Sequence, residues 1–309
     1  MDRERREGRL GQTKVYVGKF FRIFKNEKDW KGIVFAVIVT LLLSLVLGDT
    51  MFLKKEGTRS GFFAIVSAGI WIGIFNSIQT VCRERQIIKR EHRTGLHMSA
   101  YIGAHVICQG VICAVQALLM TSIYGLFMDF PDKGLVTGSF YADFYITMLL
   151  ILFSSDMLGL AVSSLVKSTT AAMTVMPFLL IIQLIFSGSI FPITGNARII
   201  SDLTVSKWGQ RVLCIESDMN EIPSELLDSE IEMFESIEGV EELMDLLPDK
   251  LTDDIHTAVE SFLHDYTYRR IYEYKAELVY RRWGYLLVFA AAYALIAAIS
   301  LEFIDRDKR

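Results

Sequence analysis

Motifs for phosphate binding and for metal-dependent hydrolysis are missing from this sequence. Its 309 residues contain no Gly-x-x-x-x-Gly-Lys-Ser/Thr phosphate loop, no His-Glu-x-x-His pair and no Gly-x-Ser-x-Gly elbow. The four cysteines lack metal-ligand spacing and the five histidines are scattered. By that route the chain has no nest of backbone amides for ATP phosphates. We therefore expect a protein that is not itself an enzyme and that holds neither a metal nor a cofactor.

Charged residues are scarce relative to apolar ones. They make up 22% of the chain, against 52% hydrophobic residues, and the mean hydropathy is +0.35. A bilayer core about 30 Å thick needs about 20 residues of helix. Six apolar runs approach that length and predict an all-α membrane protein with six transmembrane helices; they cover residues 31–48, 62–81, 101–127, 141–166, 170–191 and 283–304.

The densest polar run between two apolar segments covers residues 83–95. Its excess of Arg and Lys in so short a connector places it on the cytoplasmic side by the positive-inside bias. With six spans, both termini are then cytoplasmic in a plasma membrane. From charge alone, a loop that only sets topology is an equally good interpretation.

The leader, residues 1–30, is basic but carries regularly spaced apolar side chains. Val15, Phe20, Phe21, Ile23 and Phe24 put much of the apolar surface on one helical face. This pattern is typical of an amphipathic helix lying on the inner membrane surface, in contact with membrane lipid. An ordinary solvated leader is the alternative. The leader is too charged for a cleaved signal peptide, so the first span is expected to serve as its own insertion signal.

The spans one to five occupy residues 31–195 and end in an apolar stretch broken by Gly and Pro. This stretch, around residues 186–193, fits a re-entrant segment, whose backbone is stable only when buried in protein or lining a cavity. Residues 196–282 then leave the bilayer. The part from 216 to 265 is strongly acidic with helical apolar spacing, which predicts two amphipathic helices in an external cap rather than a disordered acidic loop. Residues 283–309 form the sixth span and a short cytoplasmic tail.

Several polar residues fall inside the predicted spans. For the amides, bonding between helices is favoured over contact with a substrate, because lipid offers no hydrogen-bond partner. Asp156 is different, since a carboxylate deep in lipid costs a few kcal/mol or more. It must lie near an interface, be paired or be protonated, and Ser154 and Ser155 are the candidate partners.

The order of these features resembles the membrane subunits of ABC transporters of the G subfamily, also called type V exporters. The resemblance rests on the amphipathic leader, on the segment from Glu84 to Tyr101, on the Ser-rich fourth span with Gly159-Leu160-Ala161, and on Ile185-Phe186-Ser187-Gly188. It implies six spans, a dimer of permeases, nucleotide-binding domains that drive alternating access, and a leader that forms a connecting helix at about residues 12–29. Unlike many members, the chain has only about thirty residues before its first span, so we expect a separate ATPase subunit, an arrangement typical of bacteria.

The resemblance also assigns residues to three sites. A helix at residues 84–95 would couple the permease to the ATPase through Glu84, Arg85, Lys89, Arg90, Glu91, Arg93 and Gly95. The substrate cavity at the dimer axis would be lined by Ile72, Phe75, Asn76, Gln79, Leu180, Gln183 and Leu184. The outer gate and re-entrant segment would comprise Gly188, Ser189, Ile190, Phe191 and Pro192.

The leading hypothesis is therefore a permease that exports an amphipathic substrate, such as a lipid, peptide or drug-like molecule. Mg-ATP would be bound by the partner ATPase, the permease would form a homodimer or heterodimer, and no nucleic acid is involved. Two alternatives remain open: a membrane anchor or sensor whose acidic cap binds an external partner, and a proton-coupled transporter that uses Asp156.

Overall fold

The computed structural model describes residues 8–26, 30–48, 50–189, 191, 193–224 and 269–303. Within these ranges the chain is helical and has no strand. The helices are α1 (Arg9–Asn26), α2 (Lys31–Leu47), α3 (Lys55–Ser77), α4 (Thr80–Arg93), α5 (Met98–Phe127), α6 (Phe140–Leu165), α7 (Thr169–Ile185), α8 (Ala197–Asp202), α9 (Val205–Glu216) and α10 (Ala276–Glu302), with a 3₁₀ turn at Arg270–Tyr272.

Among the described residues, four helical stretches are long and apolar enough to cross a membrane. They are Lys55–Arg93, which joins α3 and α4, then α5, α6 and α10. Counting α1 and α2 together as one bent span gives five. Both α2 and α7 are apolar but only 17 residues long. The expectation of an all-helical membrane protein is thus confirmed, and the expected count of six spans stays a prediction.

The long helices alternate in direction, which gives the bundle two distinct ends. At the end that holds α4, the Arg85 guanidinium contacts the carbonyl of Val166, just after α6. At the opposite end, which holds α9, the Lys55 amide donates to the carbonyl of Pro223, and Arg59 reaches Gly188. We call these the α4 end and the α9 end.

The centre of the bundle is the tight pair of α3 and α6. A Cβ placed on Gly73 would lie 2.5 Å from the Leu152 carbonyl oxygen, and one on Gly159 would lie 2.7 Å from the Ile74 carbonyl oxygen. Glycine at these points lets the two backbones approach, as is usual where helices pack without a hydrophobic driving force from lipid. Apolar side chains such as Phe62 and Ile151 fill the space around this contact and are fully buried.

Three boundaries differ from the sequence prediction. The coupling helix was predicted to begin at residue 84, but helix α4 begins at Thr80, three residues after α3 ends at Ser77. Helix α10 begins at Ala276 rather than at residue 283, and its first turns include Arg282, which is 4% exposed. The fifth span ends at Ile185, where the sequence prediction extended it to 191.

The first part of the region predicted to leave the bilayer after residue 196 packs on the bundle. Helix α9 follows the short helix α8 and packs against α3, α6 and α10, and ten of its twelve residues are buried. Its apolar residues Val212 and Ile215 form a small cluster with Val279 and Trp283 of α10. This part of the chain is an integral element of the α9 end. The two predicted cap helices fall within residues 225–268, outside the described ranges.

Candidate coupling site and transport pathway

Helix α4 is attached to the end of α6 by hydrogen bonds that cap the first turn of α4 and the last turn of α6. The Ser163 hydroxyl accepts from the backbone amides of Val81 and Cys82 at 3.1 and 3.2 Å. These amides lie in the first turn of α4, where a helix has no internal acceptors of its own. Arg85 Nη1 in turn donates to the carbonyls of Ser164 and Val166 at 3.0 and 2.9 Å. Those carbonyls lie at the end of α6, so α4 and α6 satisfy each other's terminal groups.

Helix α1 holds the other side of α4 through Glu91. The Tyr16 hydroxyl donates to Glu91 Oε2 at 2.7 Å, and Lys19 Nζ lies 3.5 Å from Glu91 Oε1. Burial, followed by the hydrogen bond to Glu91, raises the pKa of Tyr16, so the phenol keeps its proton and remains a donor at neutral pH. Gln12 continues the contact by donating to the carbonyl of Gly95 at 3.3 Å and accepting from the amide of His97 at 3.0 Å.

An apolar contact between α1 and α5 supports these polar bonds. The ring of Phe20 stacks on His105 with 3.9 Å between centroids and meets Tyr101 edge-on at 5.5 Å. Phe20, Tyr101 and His105 are all buried. Part of the apolar face predicted for the leader therefore packs against α5, whereas Phe21 on the same helix remains 40% exposed. Helices α1, α4 and α5 form one packed unit at the α4 end.

The residues predicted to couple to an ATPase fall into two groups. Arg85, Glu91 and Gly95 contact α6 or α1, as described, and so hold α4 in place. Arg90 and Arg93 are exposed on its surface. Lys89 and Glu84 are partly exposed. Gly95 has a φ of +108°, a conformation that L side chains rarely adopt, and it ends the turn after α4.

Only some of the residues predicted to line a substrate cavity border the same cavity in this structure. Phe75, Asn76 and Gln79 border a cavity of about 290 Å³ at the α4 end, between α1, α2, α3, α4 and α5. Ile72 is instead buried in the core. The three residues on α7, namely Leu180, Gln183 and Leu184, do not border this cavity.

The amides inside the spans bond to neighbouring helices, the interpretation favoured from the sequence. Asn76 Nδ2 donates to Gln116 Oε1 at 2.7 Å, and Gln116 Nε2 lies 3.1 Å from Asn76 Oδ1. The side-chain oxygen of Gln183 accepts from the amide of Ser206 at 3.2 Å, and the Ser206 hydroxyl donates to the Gln183 backbone carbonyl. Gln183 thereby ties α7 to α9 and is 5% exposed.

The predicted outer gate lies at the α9 end. Gly188 has a φ of +80°, and its carbonyl accepts from Arg59 Nη2 at 3.2 Å. The Ser189 hydroxyl contacts the side-chain oxygen of Gln210 on α9, whose amide donates to the Arg59 carbonyl at 3.1 Å. Phe191 is 59% exposed. Ile190 and Pro192 lie outside the described residues.

Asp156 is fully buried in α6, and the predicted serine partners are wrong. The Ser154 hydroxyl donates to the carbonyls of Leu150 and Leu286 at 2.6 and 2.8 Å. The Ser155 hydroxyl has no hydrogen-bond partner among the described residues. The Asp156 carboxyl instead meets Cys113 Sγ of α5 at 3.3 Å. Successive residues on a helix point about 100° apart, so sequence neighbours are poorly placed to bond each other's side chains.

A buried polar group at the α9 end was not predicted. Glu216, the last residue of α9, is 1% exposed, and its Oε1 accepts from the Thr147 hydroxyl at 2.6 Å. Trp283 Nε1 donates to the same hydroxyl at 2.7 Å. Burial raises the pKa of Glu216 well above its ordinary range. In the sequence, Glu216 is only the first residue of an acidic tract, and nothing there distinguishes it from its neighbours.

These features define a class: a multi-pass helical membrane protein whose short helix α4 at one end is joined both to the spans and to an amphipathic leader. A family model for the ABC-2 type transporter matches residues 13–212, more than half of the chain. The chain therefore belongs to the ABC-2 type transporter family, and the expectation of an ABC transporter permease is confirmed.

A curated relative shares part of this region. Over 147 residues the chain is 31% identical to the ABC transporter ATP-binding/permease protein Rv1747 of Mycobacterium tuberculosis. The match covers 45% of this chain and 16% of that protein's length. As its name states, that relative combines an ATP-binding and a permease part in one protein.

Proposed function

We propose that the chain is the permease subunit of an ABC exporter, energised by an ATPase on a separate subunit. In this proposal six spans cross the plasma membrane, the α4 end faces the cytoplasm, and two permeases pair around a pathway for an amphipathic lipid, peptide or drug-like cargo. The absence of a phosphate loop from the sequence means that ATP energy reaches these helices by contact.

The observation that carries the proposal is the double attachment of α4. Arg85 joins it to the end of α6, and Glu91 joins it to α1. A helix held on two sides by hydrogen bonds transmits a push as a rigid body instead of bending locally. Since α6 is packed along its length against α3 and α10, a displacement of α4 reaches the centre of the bundle.

The exposed face of α4 offers a surface for the ATPase. Arg90 and Arg93 are exposed on α4. Arginine is suited to docking because its planar guanidinium donates paired hydrogen bonds to carboxylates. We therefore assign the contact with the ATPase to these two side chains, and the internal attachment of α4 to Arg85 and Glu91.

The test is copurification in mild detergent combined with charge reversal. We expect an ATP-binding subunit to copurify at about one per permease, and Arg90→Glu with Arg93→Glu to abolish that association while the permease still folds and unfolds cooperatively. The matched control is Lys133→Glu, an exposed lysine in the loop between α5 and α6 at the α9 end.

Three results would contradict the proposal. Retention of the ATPase by the double reversal would remove α4 as the docking surface. Binding of an external protein that is lost on deleting residues 225–265, with no copurifying ATPase, would favour the sensor alternative. Transport driven by a proton gradient and abolished by Asp156→Asn would favour the proton-coupled transporter.

A further inference from the structure

The cavity at the α4 end lies between the leader α1 and helices α2, α3, α4 and α5, and it is partly open to the surface. Its volume is about 290 Å³, near the lower end of the range for small-molecule sites. At about 30 Å³ for each water, that is room for roughly ten water molecules. The space is therefore large enough for a lipid head group or a short ligand, and too small for a whole two-chain lipid.

Two side chains that border the cavity have buried polar atoms without a hydrogen-bond partner among the described residues. They are His105 Nε2 and Gln109 Oε1, in residues 3% and 6% exposed. They lie one helical turn apart on α5. A buried polar atom without a partner is destabilising, so such atoms call for an explanation. A ligand with hydroxyl groups supplies what both lack, since a hydroxyl donates to the amide oxygen and either accepts from or donates to the imidazole nitrogen.

The charges around the cavity favour an anion. Among the described residues that line it, Lys31 and Arg83 are cations and Glu84 is the one acidic side chain. Lys31 is exposed at the start of α2. The rest of the lining is largely apolar or uncharged, with Phe20, Phe24 and Ile112 among its members.

An exposed apolar strip runs from the cavity along the bundle. Phe75 borders the cavity, is 45% exposed, and lies 5.9 Å from the ring of Phe35 on α2, which is 39% exposed. One turn further along α2, Ile38 is 50% exposed. This strip gives acyl chains a surface that begins where a head group would sit.

We propose that this cavity binds the head group of an anionic, hydroxylated glycerophospholipid of the phosphatidylglycerol type, with its chains along Phe75, Phe35 and Ile38. The phosphate lies by Lys31 and Arg83, and the glycerol hydroxyls reach His105 and Gln109. The lipid wedges the leader α1 against α2 and α5 and so stiffens the attachment of α4. The inference rests on the proposed function only in placing the α4 end at the cytoplasmic leaflet, whose surface is anionic.

The experiment measures thermal unfolding of the full chain in a neutral detergent with added phosphatidylglycerol or phosphatidylcholine at equal mole fraction. A ligand that binds only the folded state raises the unfolding midpoint. We expect phosphatidylglycerol to raise the midpoint by several degrees more than phosphatidylcholine. Lys31→Glu should abolish that difference, and Ile112→Phe, which narrows the cavity, should reduce it. Lys133→Glu, at the α9 end, should keep it.

Equal stabilisation by the two lipids would overturn the proposal, and so would an undiminished difference in both Lys31→Glu and Ile112→Phe. Lys31 is exposed, so its reversal does not depend on repacking the core. Phospholipid that copurifies with each variant provides a second measurement, expected to be depleted in phosphatidylglycerol for the two cavity variants. Copurification of the ATPase is measured in parallel. Its absence alongside intact lipid selectivity would reject the proposed function and leave the lipid site standing.

Discussion

Tyr16 of α1 and Glu91 of α4 are 75 positions apart in the chain, yet the phenol donates to the carboxylate across 2.7 Å. Hydrogen bonds to a charged group are stronger than those between neutral groups. The pair lies beside the Lys19 contact to the same carboxylate, so one acidic side chain holds two donors of the leader. Through this contact the leader restrains the helix that we assign to ATPase docking.

The interaction between α1 and α4 should be measurable by a double-mutant cycle on Tyr16 and Glu91. Tyr16→Phe removes the donor, and Glu91→Ala removes the acceptor together with the Lys19 contact. Because the site is partly exposed, we expect a coupling energy of only about 1 kcal/mol in reversible unfolding. Additive effects of the two substitutions would show that the contact does not join the helices. The control cycle pairs Glu91→Ala with Lys14→Gln, an exposed residue of α1, and should give no coupling.

The close approach of α3 and α6 predicts strong sensitivity at Gly73. A methyl group there would lie 2.5 Å from the Leu152 carbonyl and 2.9 Å from Ser155 Cβ, and the backbone of α6 cannot yield as a flexible side chain would. Gly73→Ala should therefore lower the free energy of unfolding by about 1–3 kcal/mol, as overpacking commonly does.

The matched control for this substitution is Gly284→Ala in α10. Among the described residues, no atom outside the adjacent backbone of α10 lies within 4 Å of the added methyl group. The better helix propensity of alanine should therefore leave stability unchanged or raise it by up to about 1 kcal/mol. If the two variants unfold alike, then the α3–α6 contact is looser than the structure places it.

Glu216 predicts a specific dependence of stability on pH. Burial raises the pKa of this carboxyl in the folded protein above its ordinary value of about 4.3. Between that value and the raised one, the folded state holds a proton that the unfolded state has lost. The free energy of unfolding therefore falls as pH rises through this interval, with a slope of at most ~1.4 kcal/mol per pH unit from this group.

The variant Glu216→Gln keeps an oxygen for the Thr147 hydroxyl and cannot ionise. We expect its stability to lose this downward slope, so that it gains relative to the wild type as pH rises from about 5 towards neutrality. Unfolding midpoints across that range, compared with Glu221→Gln at an exposed position nearby, provide the measurement. Parallel pH profiles for wild type and Glu216→Gln would mean that Glu216 is ionised in the fold.

Long apolar runs gave reliable predictions because length and hydropathy alone define them. The run at 141–166 became α6 at Phe140–Leu165, and the run at 101–127 became α5 at Met98–Phe127. Helix α9 was missed because Ser206, Gln210 and Glu216 make its sequence look hydrophilic. These three residues form hydrogen bonds with Gln183, Arg59 and Thr147 on three other helices, and no local pattern reveals such partners.

The sequence could not show which of the predicted coupling residues are exposed and which hold α4 in place, because that also depends on contacts with other helices. Their charge predicted a polar helix correctly as a local element, α4, although it begins four residues before the expected start. Which charges face outward depends on where α6 and α1 lie. Arg85 and Arg90 both belong to the polar run at residues 83–95. Arg85 donates to carbonyls at the end of α6, whereas Arg90 is exposed.

Asp156 separates the proposed exporter from a proton-coupled transporter. Its carboxyl is fully buried against Cys113 and is not among the residues that border the 290 Å³ cavity. An ionised carboxylate at that depth would cost several kcal/mol, so an uncharged amide of the same shape fits the site. We expect Asp156→Asn to keep the fold, with a change in unfolding free energy below about 1.5 kcal/mol, and to leave the ATPase activity of the copurified complex unchanged. Asp156→Leu, which loses the contact with Cys113, is the structural control for packing. Loss of function in Asp156→Asn with stability intact would mean that the proton itself is used, and the exporter assignment would have to give way to proton coupling.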